Sequence, residues 1–391
     1  MASYTAEQFN SFKEKFQAAL TDSSWLFGLK YDTSSEDGRK IFLADFRSHI
    51  WVSYRKNFAA LMPSPQGRSL TSDTGWGCMI RSGQMMLAET LLRSRLGRGW
   101  RIDSGKKEGQ EGNIPIMSIA HDRTILEFVD VLEPKCNFSI HRIVQSGLKY
   151  GKNPGDWYGP ETISVVLRDL VNSRTDFNVK LHVAHGSLVI TGDIASQCII
   201  AEEGASSGEG RNDWTSELLL IVPLRLGLSS INEIYGGALC ACLELPQSVG
   251  FIGGKPRHSV YFVGHQGKKL FYMDPHTTQQ TVDPGISFPT LSDLRSYHTS
   301  TPRAMKVSEL DPSLALGFHI KSSEDFEDFC RRVNLIFAQN IPIFEIVGTP
   351  FTSTPSKILS TEMGGSSLQN VGGTTDDLHK TSEEEDDWEL M

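Results

Sequence analysis

The residues best suited to covalent chemistry are one cysteine early in the chain and an acid-histidine pair late in it. Cys78 lies in TSDTGWGCMIR, residues 71–81, and Asp274 and His276 lie two residues apart in MDPHTT, residues 273–278. A thiol becomes an effective nucleophile when a nearby base takes its proton and a third group orients that base. These are the side-chain types that nucleophilic catalysis by a cysteine requires.

The sequence around Cys78 predicts a turn that leads into a helix. Residues 71–74 are good N-cap residues, Gly75 and Gly77 permit a tight bend, and the helix formers after Cys78 end at Gly97. The partial positive charge of a helix N-terminus favours a thiolate over a thiol. From these residues alone, a small buried cysteine at a helix start remains an open alternative.

The pair Asp274 and His276 follows a predicted strand. Pro275 fixes the backbone between them, and residues two apart on an extended chain project to the same side. A polar strand end whose side chains only cap the backbone is the alternative. A metal site that adds His258 and His265 is a further alternative, which we set aside because a hairpin places these residues far apart along its strands.

Composition restricts the class of protein. The chain has 391 residues, 39% of them hydrophobic, and six scattered cysteines with no CxxC pair. This pattern argues against a zinc ribbon or a disulfide framework, and with no signal-peptide core or membrane-length apolar run it predicts a soluble, cytoplasmic protein. The net charge of -9 comes mostly from residues 350–391, so the nearly neutral body has no basic stripe for nucleic acid.

The pattern of apolar residues predicts four regions and an α+β fold. We expect an amphipathic segment at residues 1–20, a catalytic body at 21–349 with an insertion at about 175–215, and a flexible acidic tail at 350–391. The spacing of Trp51, Tyr54 and Phe58 predicts a helix face. Residues 217–227 read as a central strand, and FIGGKPRHS, residues 251–259, reads as a loop before a two-stranded hairpin.

Several longer motifs resemble those of the autophagins, the autophagy-related cysteine proteases. The resemblance covers roughly residues 20–350 and depends on six segments in the family's order. They are WVSYRKNF at 51–58, TSDTGWGCMIRSGQMM at 71–86, DWYGPET at 156–162, LLLIVPLRLG at 218–227, GGKP at 253–256 and YMDPHTTQ at 272–279. The resemblance favours the nucleophile over the buried-cysteine alternative for Cys78.

The resemblance implies a papain-like cysteine protease fold and a set of roles. Cys78 is implied as the nucleophile, His276 as its base and Asp274 as the residue that orients the base. The Cys78 N–H and the Tyr54 hydroxyl are implied as the oxyanion hole. Four further residues, implied to form the substrate groove, are Trp157, Gly254, Lys255 and Pro256.

The implied substrates are ubiquitin-like autophagy modifiers of the GABARAP-like kind. The implied enzyme cuts precursors after a C-terminal glycine and releases lipidated forms from phosphatidylethanolamine, so it meets autophagic membranes only transiently, through its substrate. We expect a monomer with no cofactor and no metal. Ser82 stands where relatives often have a second cysteine, so redox control through that position is not expected. A catalytically weak binding module is the alternative function.

The acidic tail offers a docking motif in EEEDDWELM, residues 383–391. Trp388 takes the aromatic place and Met391 the aliphatic place of a short motif that adds a strand edge-on to a modifier. A solvated acidic tail is the alternative. Residues 344–347, FEIV, match the pattern better, but they lie in the apolar run IPIFEIV and are expected to be folded.

Overall fold

The computed structural model describes residues 22–61, 67, 69–102, 116–199, 214–282 and 294–348. These residues form a mixed sheet with helices on both sides, which confirms the predicted α+β class. The amphipathic segment at 1–20 and the tail at 350–391, with Trp388 and Met391, lie outside the described residues. None of the helices that the described residues form has the length and apolar character that crossing a membrane requires.

Eight α-helices occur within the described residues. They are α1 Glu36–Ser48, α2 Cys78–Leu96, α3 Ile116–Leu126, α4 Ile140–Gly147, α5 Pro160–Asn172, α6 Thr191–Cys198, α7 Gly236–Leu243 and α8 Ser323–Gln339. The helix predicted after Cys78 is confirmed, because α2 begins at Cys78 and ends before Gly97. Its N-cap is Gly77, not one of the polar residues at 71–74, because Asp73 is engaged in other bonds.

Thirteen strands occur within the described residues. They are β1 Ser23–Leu26, β2 Leu29–Asp32, β3 Arg55–Lys56, β4 Val179–Val183, β5 Leu188–Ile190, β6 Glu217–Arg225, β7 Ser248–Lys255, β8 His258–Gln266, β9 Lys269–Met273, β10 Gln279–Gln280, β11 Arg303–Lys306, β12 Ser313–Ile320 and β13 Glu345–Val347. The main sheet has the order β11-β9-β8-β7-β12-β6-β4, and β1 and β2 attach through β8. Within this sheet only β4 and β6 pair in parallel.

The main sheet is buried on both faces. Along β6, Leu219 and Ile221 belong to one hydrophobic core with α2, while Leu218 and Leu220 belong to a second core with α7 and α8. A strand that packs on both sides needs a continuous apolar run, which is what residues 217–227 provide. The predicted central strand is therefore confirmed. β4 lies within the predicted insertion at 175–215 and forms one edge of this sheet.

Two sequence predictions near the site are wrong. Residues 51–54 have no regular structure, and residues 55–56 form the short strand β3. Trp51, Tyr54 and Phe58 therefore do not form a helix face. Residues 251–255 belong to β7, so the predicted loop shrinks to the two-residue turn of Pro256 and Arg257. In both places partner strands supply backbone hydrogen bonds that local propensity does not reveal.

The hairpin of β8 and β9 is confirmed, with its turn at Gly267 and Lys268. Residues 344–347 are folded as expected. Phe344 is buried, and β13 pairs with β5 through Glu345, Ile346 and Val347.

Candidate active site

The first part of the site is the turn that ends at Cys78. Asp73 organises this turn, because its backbone oxygen accepts the N–H of Gly77 at 2.9 Å and its Oδ1 accepts the N–H of Arg55 at 2.7 Å. Gly77 has no room for a side chain, since a Cβ there would lie 2.3 Å from Asp73 Oδ2. Cys78 therefore enters α2 in one orientation, with its side chain 1% exposed.

The carboxylate of Asp73 belongs to a buried ion network that includes Arg81, one turn into α2. Arg81 contacts Asp73 Oδ2 at 2.7 Å and Asp130 Oδ2 at 2.8 Å. Its side chain is completely buried, and the two carboxylates compensate its charge. This network joins the Cys78 turn to the residues that follow α3.

The second part of the site is the segment after β9. Nδ1 of His276 lies 2.6 Å from Oδ1 of Asp274, and the same oxygen accepts the backbone N–H of His276 at 3.0 Å. Two residues of separation with proline between them thus place the two side chains together, as the sequence predicts. Because Nδ1 is engaged by Asp274, Nε2 is the nitrogen left for the sulfur of Cys78, with which the imidazole interacts.

The electrostatics of the site favour a thiolate and an imidazolium. Burial alone would raise the pKa of Cys78, but its interactions with His276 and with the Ser259 backbone N–H outweigh burial and lower the pKa. Burial alone would lower the pKa of His276, but bonds with Asp274 and Cys78 raise it to about 9. Between these two pKa values the proton resides on the imidazole and the sulfur is charged.

The pKa values of other cysteines shift in the direction opposite to that of Cys78. Burial raises the pKa of Cys136 to about 12 and that of Cys330 to about 11. Cys240 and Cys242 also have raised pKa values because they are buried. Among the cysteines the structure describes, the geometry thus prepares Cys78 alone for nucleophilic attack.

Tyr54 joins the site through strand pairing. β3 pairs in parallel with β10, and the Tyr54 N–H donates to the Pro275 oxygen at 2.9 Å. The Tyr54 ring therefore lies edge-on to His276, with centroids 5.3 Å apart, and its hydroxyl interacts with Cys78. Burial and the Cys78 charge raise the pKa of Tyr54, so its hydroxyl stays protonated and remains a donor.

His258 lies against His276, contrary to the distance expected from a hairpin. The two rings stack with centroids 3.7 Å apart and planes 7° apart. His258, Asp274 and His276 lie close enough together to be considered as metal ligands. The nitrogen lone pairs of two parallel rings lie in separate parallel planes, however, so both histidines cannot ligate one ion unless a ring rotates. His265 is elsewhere, with Nε2 3.1 Å from Glu244.

Three contacts at the site carry no sequence signal of their own. Arg303 Nη1 donates to Asp274 Oδ2 at 2.7 Å, and Trp51 Nε1 donates to the Asp274 backbone oxygen at 2.9 Å. The Ser259 N–H faces the Cys78 sulfur and helps to lower its pKa. Each joins residues that are far apart in sequence, and pairing of β11 with β9 brings Arg303 to Asp274.

The predicted groove residues lie on two different elements. Trp157 stands in the turn before α5, with 42% of its surface exposed. Lys255 ends β7 and its Nζ contacts Glu309 at 2.7 Å, while Pro256 lies in the turn between β7 and β8. Gly254 is required by close approach, because its φ is 154° and a Cβ would lie 2.1 Å from the His258 oxygen. The hairpin of β7 and β8 reaches the site through His258 and Ser259.

Residues 39–332 match the model of the peptidase C54 catalytic domain. Among similar curated proteins, cysteine protease ATG4B of Xenopus laevis is 39% identical over 338 residues, which is 83% of each chain. Cysteine protease ATG4B of Gallus gallus is 38% identical over 346 residues, again 83% of each chain. Cysteine protease ATG4A of Homo sapiens is 34% identical over 341 residues, 83% of this chain and 81% of that protein.

Proposed function

The chain belongs to the peptidase C54 family of papain-like, autophagy-related cysteine proteases, the autophagins, and we propose that it cleaves ubiquitin-like autophagy modifiers after a C-terminal glycine. We propose that it performs two reactions with one site. The first trims modifier precursors, and the second releases modifiers from phosphatidylethanolamine. The observation that carries the proposal is the buried sulfur of Cys78, whose pKa is lowered, beside an imidazole that Asp274 orients.

The proposed reaction begins at the Cys78 sulfur. The thiolate attacks the carbonyl carbon of the glycine, and the carbon-nitrogen bond breaks as His276 gives the proton on Nε2 to the leaving amine. A water molecule then attacks the thioester while His276 accepts its proton, which frees the glycine carboxylate and restores the thiolate. Asp274 holds Nδ1 throughout, so that Nε2 stays directed at the sulfur.

The proposed oxyanion hole consists of the Cys78 N–H and the Tyr54 hydroxyl. As the first residue of α2, Cys78 has no partner for its N–H within the helix, and the helix N-terminus favours negative charge. The Tyr54 hydroxyl interacts with Cys78, so a short movement brings it to the oxyanion that forms there. Donors prepared in this way act mainly on the transition state.

A glycine in the substrate follows from a narrow path to a buried sulfur. Cys78 is 1% exposed, so the scissile carbonyl has to reach it through a slot that a side chain would block. We place the walls of this slot at Trp157 on one side and at Gly254, Lys255 and Pro256 on the other. We propose that the tip of the hairpin of β7 and β8 lifts when substrate enters, with Pro256 as its stiff end.

The same slot accounts for both substrates, since the bond beyond the glycine is an amide in each. In a precursor the leaving amine belongs to the next residue, and in a lipidated modifier it belongs to ethanolamine. We propose that the enzyme works as a cytoplasmic monomer on GABARAP-like modifiers, and that Trp388 and Met391 of the tail help to hold them.

The test uses a modifier of this class with a reporter protein after its glycine, under reducing conditions. We expect release by the wild type and none by Cys78→Ala, with binding of the modifier retained. Cys330→Ala is the matched control, because this cysteine lies on α8 away from the site and burial keeps its thiol protonated.

Release that survives in Cys78→Ala would remove Cys78 as the nucleophile. Absence of release in the wild type, with binding retained, would instead support a catalytically weak module that only binds the modifier. A second substrate, the modifier joined to phosphatidylethanolamine in vesicles, separates trimming of precursors from removal of the modifier from lipid. Cleavage of the reporter fusion alone would restrict the proposal to trimming.

A further inference from the structure

The imidazole of His276 is held on more sides than a catalytic acid and base require. Asp274 binds Nδ1, and Tyr54 lies edge-on at 5.3 Å. A third contact is the face-to-face stack with His258, whose centroid lies 3.7 Å away. The first two contacts leave rotation about the axis through Nδ1 possible, whereas a ring packed on the face prevents it.

We propose that His258 is a positioning residue that acts through His276, because its stacked ring fixes the plane in which Nε2 points at Cys78. This inference rests on the proposed role of His276 as the base. His258 is suited to the task because it opens β8 directly after the turn between β7 and β8, and the N–H of the next residue, Ser259, interacts with Cys78. One short segment thus contacts both the nucleophile and the base.

The stack also makes the site sensitive to acid. An imidazolium at His276 is stabilised by the face of a neutral ring, as in other cation-aromatic pairs, but two imidazoliums 3.7 Å apart repel each other. The charged groups that face His258 are His276 and Asp274 after β9, Arg303 on β11 and Lys255 at the end of β7. Burial lowers the pKa of His258, and three of these four groups, which are cations when His276 is protonated, lower it further.

The expected behaviour follows from these charges. Near neutral pH His258 is uncharged and the stack holds. At lower pH His258 takes up a proton, the rings separate, and His276 loses the orientation that supports the thiolate. The wild type therefore loses reactivity on the acid side for a reason additional to protonation of Cys78.

The experiment measures the rate at which iodoacetamide alkylates Cys78, followed by mass spectrometry, from pH 5 to 10. It needs no modifier, so it reports on the thiolate and imidazolium pair whatever the physiological substrate is. The variants are His258→Ala, which removes the stack, and His258→Phe, which keeps an aromatic ring but cannot titrate. The matched controls are His185→Ala and His185→Phe, an exposed histidine beside β4, four strands along the sheet from β8.

At pH 7.5 we expect His258→Ala to react about three- to tenfold more slowly than the wild type, which is the effect of losing one aromatic contact of ordinary strength. We expect His258→Phe to recover most of that loss and to keep its reactivity to lower pH than the wild type. The His185 variants should follow the wild-type profile.

Two results would overturn the proposal. If both His258 variants follow the wild-type profile, the stack does not position His276. If alanine and phenylalanine lower the rate equally, the imidazole acts by its nitrogen atoms and not by its face. The expected alkylation profile together with no modifier cleavage in any variant would leave the positioning role standing and reject the proposed substrate.

Discussion

Arg303 donates from Nη1 to Oδ2 of Asp274 across 2.7 Å, on the side of the carboxylate away from His276. The other oxygen, Oδ1, is engaged by His276, so both oxygens of Asp274 have partners. β11 pairs with β9 and sets Arg303 opposite Tyr272, two residues before Asp274. The acid that orients His276 is therefore itself oriented by the neighbouring strand.

We expect Arg303→Ala to lower kcat about five- to tenfold, well below the roughly 100-fold that misplacing a reacting group costs, because Arg303 acts only through Asp274. Its side chain is 40% exposed, so water partly replaces the lost partner. Steady-state cleavage of the modifier fusion measures the effect, and KM should change little. Arg303→Lys should recover part of kcat because it keeps the charge. Equal rates for the wild type and Arg303→Ala would show that Asp274 needs no support from β11.

The pH range of activity should depend on Asp274. The thiolate and imidazolium coexist between the lowered pKa of Cys78 and the pKa of His276 at about 9, so kcat/KM should rise on the acid side and fall near pH 9. Asp274 raises the pKa of His276, and Asp274→Asn removes that charge. We expect the alkaline limb of the kcat/KM profile to move to lower pH in this variant, and the maximal kcat/KM to fall. An alkaline limb that stays near pH 9 would contradict the assignment.

Tyr54→Phe isolates the proposed oxyanion donor. It keeps the ring against His276 but removes the hydroxyl, and loss of one such donor typically lowers kcat about 100- to 1000-fold. KM should stay near the wild-type value, because the donor acts mainly on the transition state. Tyr150→Phe is the matched control: its hydroxyl bonds to Asp169 and lies outside the site. A Tyr54→Phe variant as active as Tyr150→Phe would leave the oxyanion hole to backbone donors.

Arg81→Met tests the buried network beneath the Cys78 turn. Without Arg81, Asp73 and Asp130 are buried carboxylates with no cation between them, and breaking such a pair typically costs about 3–5 kcal/mol of unfolding free energy. Burial already raises the pKa of Asp73, so the variant should recover part of its stability as pH falls from 7.5 to 5.5 and a carboxylate takes up a proton. Urea unfolding at both pH values measures this.

The matched control for Arg81→Met is Arg331→Met, which breaks an ion pair in which the arginine is 61% exposed. An exposed pair of this kind contributes about 0–1 kcal/mol, so the control should unfold near the wild-type urea concentration. Similar losses in the two variants would mean that water reaches the Asp73 network.

The tail prediction concerns binding, not chemistry. If Trp388 anchors a modifier, Trp388→Ala should raise KM about tenfold, which corresponds to roughly 1.4 kcal/mol, and leave kcat near the wild-type value. Met391→Ala should act in the same direction. Thr381→Ala, in the same tail, is the control. Identical KM values for the wild type and Trp388→Ala would favour a solvated acidic tail.

Local patterns predicted α2, the central strand β6 and the hairpin of β8 and β9, because each is encoded by a helix stop, an apolar run or a turn within a short stretch. They failed at residues 50–58 and 251–259. There the backbone is held by β10 and β8, partners that a short window of sequence does not contain.

The sequence by itself determined the chemical groups of the candidate site and one of its distances. Cys78 stands at a helix start, and Asp274 and His276 meet because Pro275 separates them by one extended step. Only the tertiary structure decided what surrounds these groups. Tyr54, His258 and Arg303 reach His276 and Asp274 from three other strands or segments, and their contacts depend on sheet pairing that no spacing in the sequence encodes. Contacts between residues far apart in the chain form when the hydrophobic faces of the sheet are buried, so they depend on the whole fold.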